Sequence, residues 1–418
     1  MNSEVSTEKS SQINISVSPG YRGPSAAGFL LTLAIAAVLY LGMTYLPKMN
    51  LDFLPYAVVS QQAPSSFFYK IIWFIQDFTN AQFYASVFAG LGMLLGAVIA
   101  YGLSTRHSAK GGFTISYVVG IWPWVFAAQF LGLVISDFVC QYISLLTTTE
   151  MTWIPTFIPF VSIPVIVVLV YGPNWRSVLT GAVLGGVTGT PIGTAIIMYV
   201  LNPLNLPAVA ANTFTMALTG IISLEVCRHL PWMKKPEPET WLTPPEPEDA
   251  GMKPNAKDTS SPMWFLRRVL ADFTEAQFWG NEWASGFMIL GLLLDWFINP
   301  ASTYYGSGLL PIMLSCAILS SAVGIFLYHK QWTDNPFYPT FVPVVSVVPG
   351  TVLIFQGDVV LSILAAIMGG VLGGPFAAAI GRHIPEGWHP MIANTFSMSV
   401  CTIIVALILK AIPMGIGL

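Results

Sequence analysis

The sequence predicts an all-α polytopic membrane protein: about eleven transmembrane helices in two inverted five-helix repeats plus one extra N-terminal helix, with broken or re-entrant segments. Three observations predict it. Charged residues make up only 9% of the 418 residues and apolar residues 54%, where a soluble domain carries about 25% charged residues. Several uncharged stretches exceed the roughly 18 apolar residues that mark a spanning helix. Four blocks of sequence recur in the same order in both halves of the chain.

A polar tail, 1–26, comes first. It is too long and too acidic for the n-region of a signal peptide, so the run that follows, 27–46, reads as a retained extra transmembrane helix. Ten further spans follow at 83–103, 113–137, 151–171, 177–201, 208–228, 283–299, 307–328, 336–356, 360–380 and 390–411. The fourth of the eleven is interrupted by Pro155, Pro159 and Pro164, and the ninth by Pro339, Pro343 and Pro349. Residues 50–76 and 262–274, rich in Trp and Phe, read as interfacial segments. The plan is therefore the cytoplasmic tail 1–26, the extra helix 27–46, a first repeat with its interfacial segment over 47–228, a Pro/Glu-rich linker 229–262 and a second repeat 263–418. The linker composition predicts an extended cytoplasmic segment.

Loop charges test the span count. With eleven spans, only Lys48, Lys70 and Lys410 of the 17 Lys and Arg residues fall on the face opposite the N-terminus. Positive charge stays on the cytoplasmic side. This places the N-terminus in the cytoplasm and the C-terminus outside, in the plasma (inner) membrane.

The matched blocks are Asp77–Phe83 with Asp272–Phe278, Pro155–Ser162 with Pro339–Ser346, Gly185–Pro191 with Gly369–Pro375, and Ala211–Met216 with Ala393–Met398. Five spans per half is an odd number, so the second half enters the membrane from the opposite side and the repeats are inverted. The first block, DFTxAQF, fits a capping box, with Thr79 and Gln82 or Thr274 and Gln277 satisfying a helix start. It is read as structural.

The third block is read as a site. Proline inside a helix removes a hydrogen bond but suits the first helical position. Thr190-Pro191 and Gly374-Pro375 therefore predict new half-helices after the flexible Gly186, Gly189, Gly370 and Gly373. Such breaks survive at membrane depth only beside protein or a water-filled cavity. The competing reading is close helix packing through small residues. Ser162 and Ser346 are placed to meet carbonyls freed by Pro159 and Pro343. Asn212, Thr213, Asn394 and Thr395 put uncharged hydrogen-bonding groups into apolar spans. The expected substrate site thus comprises Ser162, Thr190, Asn212, Thr213, Ser346, Gly374, Asn394 and Thr395, around breaks at Pro191 and Pro375.

Ionisable groups within spans are few. Asp137, Glu225 and Asp295 lie toward span ends, where an acid is a candidate for proton or sodium coupling. His383, Glu386 and His389 share a loop too poor in ligands for a metal site, and Cys140, Cys227, Cys316 and Cys401 are scattered. The sequence holds no P-loop, dinucleotide fingerprint, nucleophile elbow or zinc-protease motif, so no cofactor, catalytic residue or enzyme activity is expected. No basic tract suggests nucleic acid.

The expected function is a secondary transporter, or a subunit of one, that moves a small polar solute by alternating access at a midplane site. Half-helix N-termini would favour an anionic solute. The partners expected are this solute, a coupling ion (Na+ or H+) and the lipid bilayer; a homo-oligomer is compatible with all of this. A channel and an assembly subunit are the alternatives. In its extra N-terminal span, Gly-rich breaks and Asn-Thr elements, the architecture resembles the ion-coupled carboxylate carriers with two inverted repeats. That likeness is at the level of the fold and transfers no residue.

Overall fold

The computed structural model describes residues 22–236, 259–335 and 337–412. Most of the expected tail, and the linker from 237 to 258, lie outside the described residues. The rest is helical, with no strand among the described residues.

The first half contains α1 (Ala26–Tyr45), the short α2 (Tyr56–Gln62) and α3 (Phe67–Gln76), α4 (Val87–Ser104) and α5 (Trp122–Val134), which continues as a π-turn to Val139. After these come the fragments α6 (Leu145–Thr148), α7 (Ile158–Val161) and α8 (Ile163–Tyr171), then α9 (Trp175–Ile196) and α10 (Ala208–His229). The second half contains α11 (Pro262–Asp272), α12 (Glu282–Ile298), α13 (Leu310–Leu327) and α14 (His329–Asp334). It closes with α15 (Val347–Ile354), α16 (Val359–Gly381) and α17 (Met391–Lys410).

Eight of these helices are long and apolar enough to cross a membrane: α1, α4, α5 with its π-turn, α9 with the π-turn to Leu201, α10, α13, α16 and α17. Their outer faces carry exposed Leu91, Leu95, Leu179, Val183 and Val187, an apolar surface that water does not tolerate at this extent. The fold is that of a polytopic membrane protein. Three of the eleven expected spans fall short of a regular spanning helix. α12 has 17 residues. Around Pro159 and Pro164 the chain breaks into α7 and α8, with Ser162 at φ −141°, ψ −108° between them. In the third, only the eight-residue α15 is helical, since prolines withhold the N–H groups a continuous helix needs.

Helix starts follow the caps written in the sequence. Ser25, Ser86, Asn174, Asn281 and Asp358 each accept a bond from an N–H in the first turn, satisfying donors that have no intrahelical partner.

The expected breaks at Thr190-Pro191 and Gly374-Pro375 do not occur. α9 runs through Pro191 and α16 through Pro375. A proline orphans the carbonyl four residues before it, and here each orphan has a new donor. Tyr142 Oη donates to the Val187 carbonyl at 2.9 Å, and Tyr328 Oη to the Val371 carbonyl at 2.5 Å. The glycines serve close packing instead. A Cβ on Gly185 would lie 2.6 Å from Pro164, on Gly189 2.7 Å from Ile158, and on Gly369 or Gly373 2.7 Å from Pro343. Gly186 and Gly370 sit equally close to backbone, at Gly132 and Ser320. The broken spans α7–α8 and the Pro343 segment thus lie in grooves made by the unbroken glycine helices.

The capping-box reading of DFTxAQF is also corrected. Residues 77–82 and 275–277 form short 3-10 turns, ended by Phe83 at φ 67° and Phe278 at φ 62°. Gln82 and Gln277 do not cap; they meet across the molecule. Gln82 Nε2 donates to Gln277 Oε1 at 2.6 Å and to the Phe273 carbonyl at 2.7 Å. Gln277 Nε2 returns both bonds, to Gln82 Oε1 at 2.8 Å and the Phe78 carbonyl at 3.0 Å. Beside them α4 and α12 pack backbone against backbone. A Cβ on Gly92 would lie 2.3 Å from the Phe287 carbonyl oxygen, on Gly96 2.3 Å from that of Trp283, and on Gly291 2.1 Å from that of Phe88. Residue numbers rise on one helix as they fall on the other, so the pair is antiparallel.

Candidate functional site

Next to the glutamine pair lies a cavity of about 290 Å³. Its wall is built from corresponding residues of the two halves: Ala81 with Ala276, Phe83 with Phe278, and Phe157 with Phe341. The left-handed backbone at Phe83 and Phe278 ends each 3-10 turn. Asn212 and Thr213 from α10 and Asn394 and Thr395 from α17 line the same cavity, because α10 and α17 pack against each other.

The polar groups on this wall differ in how they are satisfied. Thr213 and Thr395 each donate to a carbonyl four residues back, Val209 and Met391, both at 2.9 Å. The amide of Asn212 is different. It is 1% exposed, and neither its Oδ1 nor its Nδ2 has a partner among the described residues. A buried amide without partners costs about 1–3 kcal/mol, so Asn212 is the group on this wall most in need of a polar ligand.

One end of the cavity is asymmetric. Tyr117, Glu275 and His389 line it. Glu275 stands where the first half has Asn80. Its carboxylate is met by the guanidinium of Arg268 and the hydroxyl of Tyr117. Arg268, 3% exposed, also binds Asp272 at 3.0 Å and lies between the rings of Phe113 and Trp332. Asp272 in turn accepts from Ser321 at 2.7 Å and Thr340 at 3.1 Å. Glu275 thus shares the single guanidinium of Arg268 with Asp272. His389 accepts the Met391 N–H at Nδ1 (3.1 Å), and burial pushes its pKa down to about 4. It lines the cavity as a neutral imidazole.

The other expected site residues do not reach this cavity. Ser162 Oγ donates to the Ile158 carbonyl at 2.7 Å and Ser346 Oγ to that of Val342 at 2.6 Å. Thr190 Oγ1 pairs with Ser136 Oγ at 2.9 Å. Gly374 lies against the ring of Tyr338. Of the expected acids, Glu225 is at the surface with Arg228, and Asp295 accepts from Ser86 and Ser302, both at 2.6 Å. No group of three or more His, Cys, Asp or Glu that could hold a metal occurs among the described residues.

Glu275, Arg268 and His389 were not expected in the site. The Asn-to-Glu difference within two otherwise near-identical blocks was the available signal. Against known proteins, the chain matches no family model, no curated protein and no solved structure.

Proposed function

We propose that this protein is a secondary transporter, or the membrane subunit of one, which carries a small solute through the cavity between its halves. The observation that carries the reading is the cavity wall, in which the Asn-Thr pairs of both halves converge on one cavity in a membrane protein. Ligand sites are mostly apolar clefts with a few placed polar groups, and this cavity fits that description. Its solute has an apolar body and a hydrogen-bonding group for Asn212 and Asn394. The case for an anion rested on half-helix N-termini at Pro191 and Pro375; with both helices continuous, the structure gives it no support.

In this reading the chain is two inverted repeats, each of five membrane segments, behind the extra helix α1. The reciprocal Gln82–Gln277 bonds and the antiparallel α4–α12 contact support a pseudo-two-fold axis in the membrane plane. The short segments around α7–α8 and α15 count as the third segment of each repeat in that plan. The loop charges put the N-terminus in the cytoplasm. Rocking of one half about the glutamine contact opens the cavity to each side in turn.

The test is flux in proteoliposomes, with candidate solutes first found by thermal-shift screening of metabolite pools. Saturable exchange is expected. Asn212→Ala and Asn394→Ala each lower it at least about tenfold, the loss of one hydrogen bond near 1.4 kcal/mol, with normal insertion. Linear, unsaturable flux overturns the carrier; unchanged exchange in both variants removes the amides from the site.

A further inference from the structure

The two aspartates that open the matched blocks sit in different charge environments. Four residues ahead of Asp272 stands Arg268, whose guanidinium pairs with it and with Glu275. Four residues ahead of Asp77 stands Trp73, whose indole Nε1 donates to Thr156 at 2.7 Å and supplies no charge. Asp77 is fully buried and served by donors: Asn80 Nδ2 reaches Oδ1 at 2.5 Å, and Thr156 and Trp73 lie beside the carboxyl. Its Oδ2 has no partner in this set. Against it lies the carboxyl of Asp137, from the π-turn after α5. Asp137 is also fully buried, and neither of its oxygens has a donor. Two ionised carboxyls side by side in such a setting repel, so the pair favours holding one proton.

We propose that Asp77 and Asp137 form a proton-binding site that holds one exchangeable proton, carried on Asp137 and donated to Asp77. The π-turn turns Asp137 toward Asp77. Asp77, with the Asn80 amide as donor, is the half suited to stay ionised, and Asp137, with none, is the half suited to be the acid. In this half the proton does the work that Arg268 does in the other. Two further acceptors next in sequence point to a visiting cation. Gln76 Oε1 and Asn80 Oδ1, on residues 1% and 2% exposed, are both unpartnered. Asn80 bonds Asp77 directly, so its free oxygen borders the pair.

A second cavity, of about 530 Å³, lies on the Asp77 side, although neither aspartate lines it. It is lined by Tyr56, Ser60 and Tyr305, and both tyrosines border Asp77 electrostatically. Besides these tyrosines, the charged group facing the pair is Lys70, which acts on Asp137. On release the Asp137 O–H bond breaks, the proton passes to water, and two carboxylates remain beside Lys70. Coupling of this step to solute movement rests on the transporter reading; the proton site itself does not.

The experiment is infrared titration of the full chain in lipid nanodiscs, followed by flux. Wild type should show a protonated-carboxyl band at a pH where free carboxyls are ionised, and Asp137→Asn should lose it. Asp77→Asn, which removes the neighbouring anion, should keep the band and lower its proton affinity at least about tenfold. A band that survives Asp137→Asn, or a midpoint unmoved by Asp77→Asn, overturns the site. So does sodium that displaces the band, or that raises the melting temperature of wild type alone, since the pair is then a sodium site. In proteoliposomes, wild-type uptake should respond to a pH gradient and Asp137→Asn uptake should not. A titrating Asp137 in a protein that moves no solute leaves the proton site standing and overturns the transporter.

Discussion

At the scale of single residues, His389 has a consequence for stability. Its folded pKa lies near 4 and its unfolded value near 6.5. Between these values the unfolded chain binds more protons than the folded one, so stability rises with pH through this window. The contribution is complete above about pH 6.5 and fades as pH falls toward 4. His389→Asn keeps an acceptor for the Met391 N–H but cannot titrate. The difference in melting temperature between wild type and this variant, measured by nanoscale fluorimetry, should therefore shrink or change sign as pH falls from about 6.5 to about 4. A constant difference would show that His389 does not titrate in this range.

The residue scale also explains why some side chains were legible and others were not. The Asn-Thr pairs are visible because they are polar, duplicated and set in apolar runs. The continuous helices at Pro191 and Pro375 are not visible, because the repair comes from elsewhere. Tyr142 and Tyr328 lie 45 and 43 residues away from the carbonyls they satisfy. A local rule about proline has no access to such a donor. Likewise, DFTxAQF matches a capping box by local spacing, while the true partner of Gln82 is 195 residues away.

Among elements, the α4–α12 crossing is the most demanding. With carbonyl oxygens of the facing helix 2.1–2.3 Å from any added Cβ, even alanine must push the helices apart. Overpacking of this kind costs about 1–3 kcal/mol or more. Gly92→Leu is expected to lower the melting temperature and the yield of monodisperse protein, while Gly102→Leu on the same helix, where a Cβ meets nothing within 4 Å, should leave both unchanged. Equal losses at the two positions would remove the crossing as the cause. Span positions were largely readable from hydropathy, since lipid rewards continuous apolar helices. The proline-rich segments at 151–171 and 336–356 were readable as irregular, but their shape depends on the glycine grooves of α9 and α16 into which Pro164 and Pro343 fit.

For the whole molecule, the glutamine contact is the point where the halves are pinned. Each amide is buried, at 2% exposure for Gln82 and 0% for Gln277, and each supplies both a donor and an acceptor to the other. Removing one leaves the other short of partners and costs about 1–3 kcal/mol. Removing both should cost less than the sum of the single losses, because the second deletion no longer strands a partner. A double-mutant cycle of Gln82→Leu and Gln277→Leu, followed by thermal unfolding in detergent, should give a coupling energy of about 1 kcal/mol or more. Strict additivity would mean the contact carries little.

The two Gln amides also bear on ancestry. Each gives two bonds and receives one in the same pattern, so the contact is isologous, the kind that joins identical subunits across a two-fold axis. A lone half-length chain with this glutamine would complement a second copy of itself before any linker joined them. In the two-repeat reading, the differences between the halves, Arg268 for Trp73 and Glu275 for Asn80, are asymmetries that a dimer of one identical half-length chain could not hold. On that reading and on the proposed proton site, fusion would have let a symmetric dimer divide its labour, with one aspartate paired to a permanent arginine and the other left to a transient charge.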